Sequence, residues 1–140
     1  MVLGADAEER GKLSHDAAKR LLTAAGITTR SSGNCDDREN PRCTSLDQIR
    51  SETIDAVINF KRQSGARVVV TGGTEKGHAA GTYSHWNGYK LDIAKDATAD
   101  AYITGNFVYL GQLNNGWKQY KDRSDNVWTN EGNHWDVVVK

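Results

Sequence analysis

The stretch from Arg67 to Ile93, "RVVVTGGTEKGHAAGTYSHWNGYKLDI", decides the fold because it encodes two strands joined by a long glycine-containing loop. Its first part, "RVVVTG", is a β-branched run that predicts a buried strand. Its last part, "YKLDI", alternates in character, so that Leu91 and Ile93 face a core. Lys90 and Asp92 then share the opposite face of the same strand. The stretch therefore predicts a sheet that presents Asp92 away from its core.

Helices are predicted on the N-terminal side of this stretch. The first begins at Ser14 and is followed by Gly26, a residue typical of helix C-terminal caps. The second begins at Ser45, whose spacing to Gln48 matches a capping box, and Gly65 ends it. Beyond the stretch, "DATADAYI" predicts a short helix or turn, and the C-terminal segment predicts two or three strands joined by the turns "RSDN" and "NEGN". This order predicts an α+β fold, with a mainly antiparallel sheet and N-terminal helices packed on it.

Length and charge limit the classes of protein that the chain can represent. Its 140 residues suit one domain, residues 1–140, and its 18 basic and 18 acidic residues cancel. No basic run favours nucleic acid, and no apolar run reaches the roughly 20 residues of a membrane-spanning helix. The opening "MVLGADAEERGK" lacks the pattern of a secretion signal. We therefore expect a soluble monomer that binds no nucleic acid and has no membrane span.

Cys35 and Cys43 enclose a polar loop that contains the only proline of the chain, Pro41. Two cysteines this close form a disulfide, remain free thiols or contribute to a metal site. A metal site would need further cysteine or histidine ligands nearby, and the loop contains none. The disulfide is therefore the favoured interpretation, and it implies a compartment outside a reducing cytoplasm.

Two segments carry residues that suit a catalytic metal centre. Such a centre uses about three nitrogen or oxygen ligands, leaves a position for water and needs a nearby carboxylate base. His85 precedes Asp92 by seven residues, with a turn signal at Asn87 between them, so both side chains can converge. Glu131 precedes His134 by three residues, which supplies a third ligand and a base. Either spacing also arises by chance or in a surface ion pair, but the two together favour a metal centre.

In these two motifs, "HWNGYKLD" and "EGNHWD", the chain resembles the zinc D-alanyl-D-alanine carboxypeptidases and dipeptidases. This family shares the hedgehog/DD-peptidase fold and includes the phage L-alanyl-D-glutamate endopeptidases. The likeness extends loosely from about Ser45 to the C-terminus. It implies one zinc ion per chain, held by His85, Asp92 and His134. It also implies that Glu131 is the general base.

The chain departs from the family pattern near the expected site. Tyr83 stands where the family usually has serine, and Lys90 stands where a small residue is common. The arginine that often polarises the scissile carbonyl is missing from "TGGTEKGH", so Lys76, His78 or Lys90 would have to stabilise the oxyanion. Asp136 is predicted to accept a hydrogen bond from a ligand histidine, as an outer partner of the metal.

The resemblance implies a zinc-dependent peptidase whose partner is the stem peptide of bacterial peptidoglycan. It would be a carboxypeptidase or an endopeptidase such as an endolysin, acting in the periplasm or outside the cell. Delivery by a phage particle, through a holin or within a larger protein fits a chain without a visible signal peptide. Two alternatives are a zinc-containing binding domain without catalysis and a structural component of a phage tail or injection device. Glu131 argues against pure binding, because a binding site needs no base.

Overall fold

The computed structural model describes residues 11–140 of the chain. The predicted absence of a secretion signal concerns the start of the chain, and residues 1–10 lie outside the described range. Within this range we number three helices α1 to α3: His15–Ala24, Ser51–Ser64 and Ala97–Asn106. None of these three has the length and apolar character needed to cross a membrane. The strands β1 to β9 are, in chain order, Lys12–Leu13, Thr28–Thr29, Ile49–Arg50, Val69–Gly72, Lys90–Ala94, Val108–Gln112, Lys118–Lys121, Val127–Asn130 and His134–Val138.

Seven of the strands form one sheet in the order β2-β4-β5-β9-β8-β7-β6. Strands β2 and β4 pair in parallel, and every other neighbouring pair in this sheet is antiparallel. Strands β1 and β3 form a separate antiparallel pair. The prediction of an α+β fold with a mainly antiparallel sheet is confirmed. Strand β5 lies between β4 and β9, so these three strands can contribute to one site.

The core of the protein joins the three helices to one face of the large sheet. On β5 and β9 the core side chains are Leu91, Ile93, Trp135 and Val137, all almost completely buried. Because alternate residues of a strand face opposite sides, the intervening residues of both strands point away from this core. The predicted alternation in "YKLDI" is therefore confirmed, and Asp92 lies on the face opposite the core.

The positions of the helices differ in part from the prediction. Helix α3 forms where the sequence predicted a short helix or turn, and the Asp96 carboxylate caps it by accepting from the amide of Ala99 at 3.0 Å. This helix follows β5 in the chain, so the prediction that the packed helices are N-terminal is wrong for one of the three. Helix α1 begins as predicted, because the Ser14 hydroxyl accepts a hydrogen bond from the amide of Ala17.

The predicted start of helix α2 is wrong. The helix begins at Ser51 rather than Ser45, and no side chain caps it at Arg50. The Ser45 hydroxyl instead accepts a hydrogen bond from the amide of Asp47 at 3.1 Å, which stabilises a local turn. Gln48 has a left-handed backbone with φ of 68°, and the following residues pair with β1 as strand β3. The capping-box spacing therefore lies in a loop and a short strand, not in a helix.

Candidate metal centre

The pairing of β5 with β9 places two carboxylates opposite each other. Asp92 faces Asp136 in the register of these antiparallel strands, and His134 lies two residues before Asp136 on the same face. Asp92 and Asp136 are 6% and 5% exposed, respectively. Like charges directly opposite in a sheet repel, and the cost is larger when both are buried. The sheet therefore creates a position that favours a cation.

On its other side Asp92 faces a glycine. Gly72 of β4 is paired with Asp92, and a Cβ atom added at Gly72 would lie 2.5 Å from Asp92 Oδ2. No larger residue fits there unless the carboxylate moves. The absence of a side chain at Gly72 thus lets the Asp92 carboxylate lie flat against β4 and fixes its position.

If a divalent metal ion binds at Asp92, the Gly72→Ala substitution is expected to weaken its binding by at least about tenfold, because the new methyl group would displace the Asp92 carboxylate. Titration of the metal-free variant with zinc in the presence of a competing chelator measures this change. The matched control is Gly105→Ala in helix α3, where an added Cβ meets no atom within 4 Å. Equal zinc affinity in the two variants would show that the carboxylate does not need its present position.

His85 comes from the loop between β4 and β5 and inserts its ring between the two carboxylates. Its Nδ1 lies 3.0 Å from the carbonyl oxygen of Gly73, which fixes Nδ1 as the donor. Its Nε2 then faces the carboxylates, 2.9 Å from Asp136 Oδ2 and 3.3 Å from Asp92 Oδ1. Burial lowers the pKa of His85, but the close contacts and negative charges of Asp136 and Asp92 outweigh it and raise the pKa to about 10. A positive charge at this position is therefore strongly favoured.

The affinity of this site for a divalent metal ion such as zinc is expected to increase with pH, because an ion bound at His85 Nε2 would have to displace a proton from that nitrogen. Loss of one proton predicts about a tenfold gain per pH unit between about pH 7 and about pH 9. The stability of the metal-free protein should change in the opposite direction. A raised histidine pKa contributes stability that is complete below pH 6.5 and is lost as the pH rises towards about 10. Chelator competition and thermal unfolding at several pH values measure both trends, and a pH-independent zinc affinity would contradict this assignment.

His134, the first residue of β9, contacts the Asp92 carboxylate, and Glu131 precedes it by three residues. His134 Nε2 lies 3.7 Å from Asp92 Oδ1 and 2.9 Å from Glu131 Oε1. Both side chains are partly exposed, so solvent can reach this side of the site. Burial, followed by the charges of Asp136 and Asp92, raises the pKa of Glu131 above its ordinary value. Glu131 is thus a stronger proton acceptor than an ordinary surface glutamate.

His78 lies on the other side of His85. The two imidazole rings stack with centroids 3.8 Å apart and an interplanar angle of 18°. His78 Nδ1 lies 4.0 Å from Asp92 Oδ2, and one ligand atom from each of His78, His85 and Asp92 lies within 4.8 Å of the other two. This group could hold a metal ion.

The hydrogen bonding of Asp92 fits a cation at this position. Its Oδ1 atom is buried and is the one buried side-chain polar atom between residues 11 and 140 that has no hydrogen-bond partner. Burial raises the pKa of Asp92, but His85, His134 and His78 outweigh it and lower the pKa below its ordinary value. Imidazole nitrogens and a carboxylate oxygen are the ligands that catalytic zinc uses in proteins. The residues present therefore fit a divalent metal.

The predicted outer residues lie in different places from those expected. Lys76 Nζ is 2.6 Å from Glu39 Oε1, in a pair on the surface. Lys90 Nζ is 3.8 Å from Asp136 Oδ1 and so helps to neutralise that carboxylate. Asp136 does contact His85, as predicted for a ligand histidine, but it does so at the ring nitrogen that also faces Asp92.

Glu75 is a functional residue that the sequence analysis missed. It is 3% exposed, and its Oε1 accepts hydrogen bonds from the backbone amides of Ser45 and Gly73, each at 2.9 Å. Its Oε2 contacts His78 Nε2 and so orients that ring. One sequence signal was available, because Glu75 and His78 repeat the Glu-x-x-His spacing of the C-terminal motif.

The predicted disulfide between Cys35 and Cys43 is present, and its loop supports the segment that carries the histidines. Arg38 in this loop stacks its guanidinium 3.5 Å from the ring centroid of Trp86. The same side chain donates to the carbonyl oxygen of Thr74 at 3.3 Å. The disulfide loop thus contacts both ends of the segment from Thr74 to Trp86, which carries His78 and His85.

Comparison with known proteins gives no match: no family model, no curated protein and no solved structure matches this chain. The structure itself shows an α+β fold and a group of two histidines and one aspartate that could hold a metal ion. Any narrower class has to be argued from the chemistry of the site.

Proposed function

We propose that the chain is a zinc-dependent peptidase of the hedgehog/DD-peptidase type, which hydrolyses a peptide bond in the stem peptide of peptidoglycan. The observation that carries this proposal is the unpartnered oxygen Asp92 Oδ1, which lies between His85 and His134 with Glu131 beside them. A buried carboxylate oxygen without a partner, next to two imidazoles and a carboxylate of raised pKa, is the arrangement that metal-assisted hydrolysis requires.

His85, Asp92 and His134 are the residues that would hold the zinc ion. Ligands in a tetrahedral zinc site are about 3.4 Å apart, given zinc–ligand bonds of about 2.0–2.1 Å. The distances from Asp92 Oδ1 to the facing nitrogens of His85 and His134 are 3.3 and 3.7 Å, close to that separation. An ion held there would supply Lewis-acid chemistry: it would polarise a substrate carbonyl and make a bound water molecule more acidic.

Glu131 would act as the general base. Its Oε1 lies 2.9 Å from His134 Nε2, the nitrogen that faces Asp92, so the carboxylate borders the space where the reaction would occur. Its raised pKa suits a group that accepts a proton from the attacking water and then donates it to the leaving amine. A binding domain without catalysis has no use for a carboxylate in this position.

Open cavities on both sides of the ligands suit an extended peptide. One, of about 350 Å³, is lined in part by His78, Ser84 and Trp86. Another, of about 260 Å³, is lined in part by Arg30, Thr71 and His134. The reacting bond of a bound peptide would therefore lie between the two cavities, above Asp92. Cell-wall stem peptides are a substrate class that can occupy such an open cleft, and the resemblance in the two motifs supports this choice.

The test is mass spectrometry of the soluble products released from purified peptidoglycan. Zinc-loaded protein is compared with the same protein stripped by a chelator. We expect zinc-dependent products: free D-alanine would identify a carboxypeptidase, and larger peptides would identify the internal bond that an endopeptidase cuts. Identical products from the two samples would overturn the peptidase proposal and favour a zinc-containing binding or structural domain.

A further inference from the structure

His78 is held in a defined orientation that the proposed mechanism does not use. Its Nε2 contacts Glu75 Oε2, and Glu75 is itself fixed by the backbone amides of Ser45 and Gly73. A buried carboxylate that orients a histidine through one ring nitrogen is the usual outer partner of a metal-binding histidine. Glu75 therefore prepares the other nitrogen of His78 for a ligand.

The tautomer of His78 follows from these contacts. Both oxygens of Glu75 accept hydrogen bonds from backbone amides, so the carboxylate is an acceptor and His78 Nε2 must be the donor. The second nitrogen, Nδ1, is then the atom that is available to a metal ion, and it lies 4.0 Å from Asp92 Oδ2. Two acceptors that face each other in a largely buried position are stabilised by a cation between them.

We propose that His78 is a fourth ligand of the same metal ion in the resting protein, bound through Nδ1, and that the substrate displaces it. This proposal rests on the proposed function, since it uses the zinc position described above. A site with four protein ligands is closed, whereas a catalytic site keeps one position open. His78 would therefore close the site until a substrate competes for the position that it holds.

The position of His78 suits a ligand that can leave. Its distance of 4.0 Å to Asp92 Oδ2 is longer than the 3.3 and 3.7 Å that His85 and His134 make to Oδ1, so it is the outermost of the three histidines. The residues that follow it, from Ala79 to Tyr83, are all exposed, and none of them belongs to the buried core. A segment with few buried contacts can move at a low cost in free energy.

The experiment compares zinc affinity and kinetics in the wild type and in His78→Ala. Zinc affinity is measured by chelator competition, a measurement that does not depend on turnover. We expect His78→Ala to bind zinc at least about tenfold more weakly. At saturating zinc we expect its KM for a peptidoglycan fragment to decrease, because the substrate no longer competes with a protein ligand. His78→Gln, which keeps a polar side chain of similar size, replaces His78→Ala if circular dichroism shows that the latter is misfolded.

Thr82→Ala is the control, because Thr82 lies in the same loop and its side chain is exposed. It should bind zinc as tightly as the wild type. Unchanged zinc affinity in His78→Ala would overturn the proposal, and a lowered kcat in the same variant would make His78 a hydrogen-bond donor in the reaction instead. The two proposals fail separately. If His78→Ala binds zinc more weakly but the wild type shows no turnover, only the peptidase proposal is overturned. If the wild type shows turnover but His78→Ala binds zinc as tightly as the wild type, only the fourth-ligand proposal is overturned.

Discussion

Replacement of Glu131 by Gln is expected to reduce kcat by about a thousandfold or more while zinc remains bound. Glutamine has the size of glutamate but cannot accept a proton from water, and general base catalysis contributes about 10²–10⁴ in rate. Zinc affinity should change little, because Glu131 contacts His134 but is not among the proposed ligands. The rate of product release from peptidoglycan and the zinc content of the same sample provide the two measurements.

A matched control for this variant is Glu52→Gln on helix α2. The side chain of Glu52 is 54% exposed and pairs with Arg50, and neither proposal gives Glu52 a role. This control should keep the wild-type rate. Activity of Glu131→Gln within about tenfold of wild type would show that another group is the base. Loss of zinc from that variant would show that Glu131 is a ligand rather than a base.

Replacement of Asp92 by Asn is expected to abolish zinc binding at any practical concentration and, with it, all turnover. The amide is neutral and can direct a donor group towards His85, so the site loses both a ligand charge and an acceptor. The loss should exceed the roughly 10–100-fold effect that follows removal of an outer partner of a metal ligand. Chelator competition gives the affinity, and analysis of peptidoglycan products gives the turnover.

Asp136→Asn is the control that separates a ligand from a neighbouring charge. Asp136 is as buried as Asp92, and its Oδ2 lies 2.9 Å from His85 Nε2, the nitrogen that also faces Asp92. If Asp92 is the ligand, Asp136→Asn should weaken zinc binding less than Asp92→Asn does, because it removes a nearby negative charge but no ligand atom. A larger loss in Asp136→Asn than in Asp92→Asn would assign the ligand role to Asp136.

Local patterns in the sequence predicted most elements of the fold. The alternation in "YKLDI" predicted the two faces of β5, and a capping serine predicted the start of α1. Strand β6, Val108–Gln112, was not predicted because it is an edge strand whose residues are mostly exposed, so it carries no apolar alternation. The start of α2 was misplaced because a capping-box spacing does not show whether the backbone between its residues is helical.

The prediction that His85, Asp92, His134 and Glu131 form one site came from two short local motifs and from the resemblance of both to one family. The sequence could not predict the part of the site that depends on contacts between distant segments. The close approach of Gly72 to Asp92 follows from the register of β4 and β5. The role of Glu75 follows from backbone amides that the loop before α2 supplies. Each contact joins two segments that are distant in the chain, so the sequence of either segment alone does not predict it.

The central claim is that one zinc ion binds to Asp92 Oδ1 between two histidines. Anomalous X-ray diffraction at the zinc absorption edge, from crystals of the zinc-loaded protein, tests it most directly. We predict a single strong peak per chain, within bonding distance of Asp92 Oδ1, His85 Nε2 and His134 Nε2. A peak that is not bonded to these three residues, or no peak in zinc-loaded crystals, would contradict the metal centre and the peptidase proposed from it.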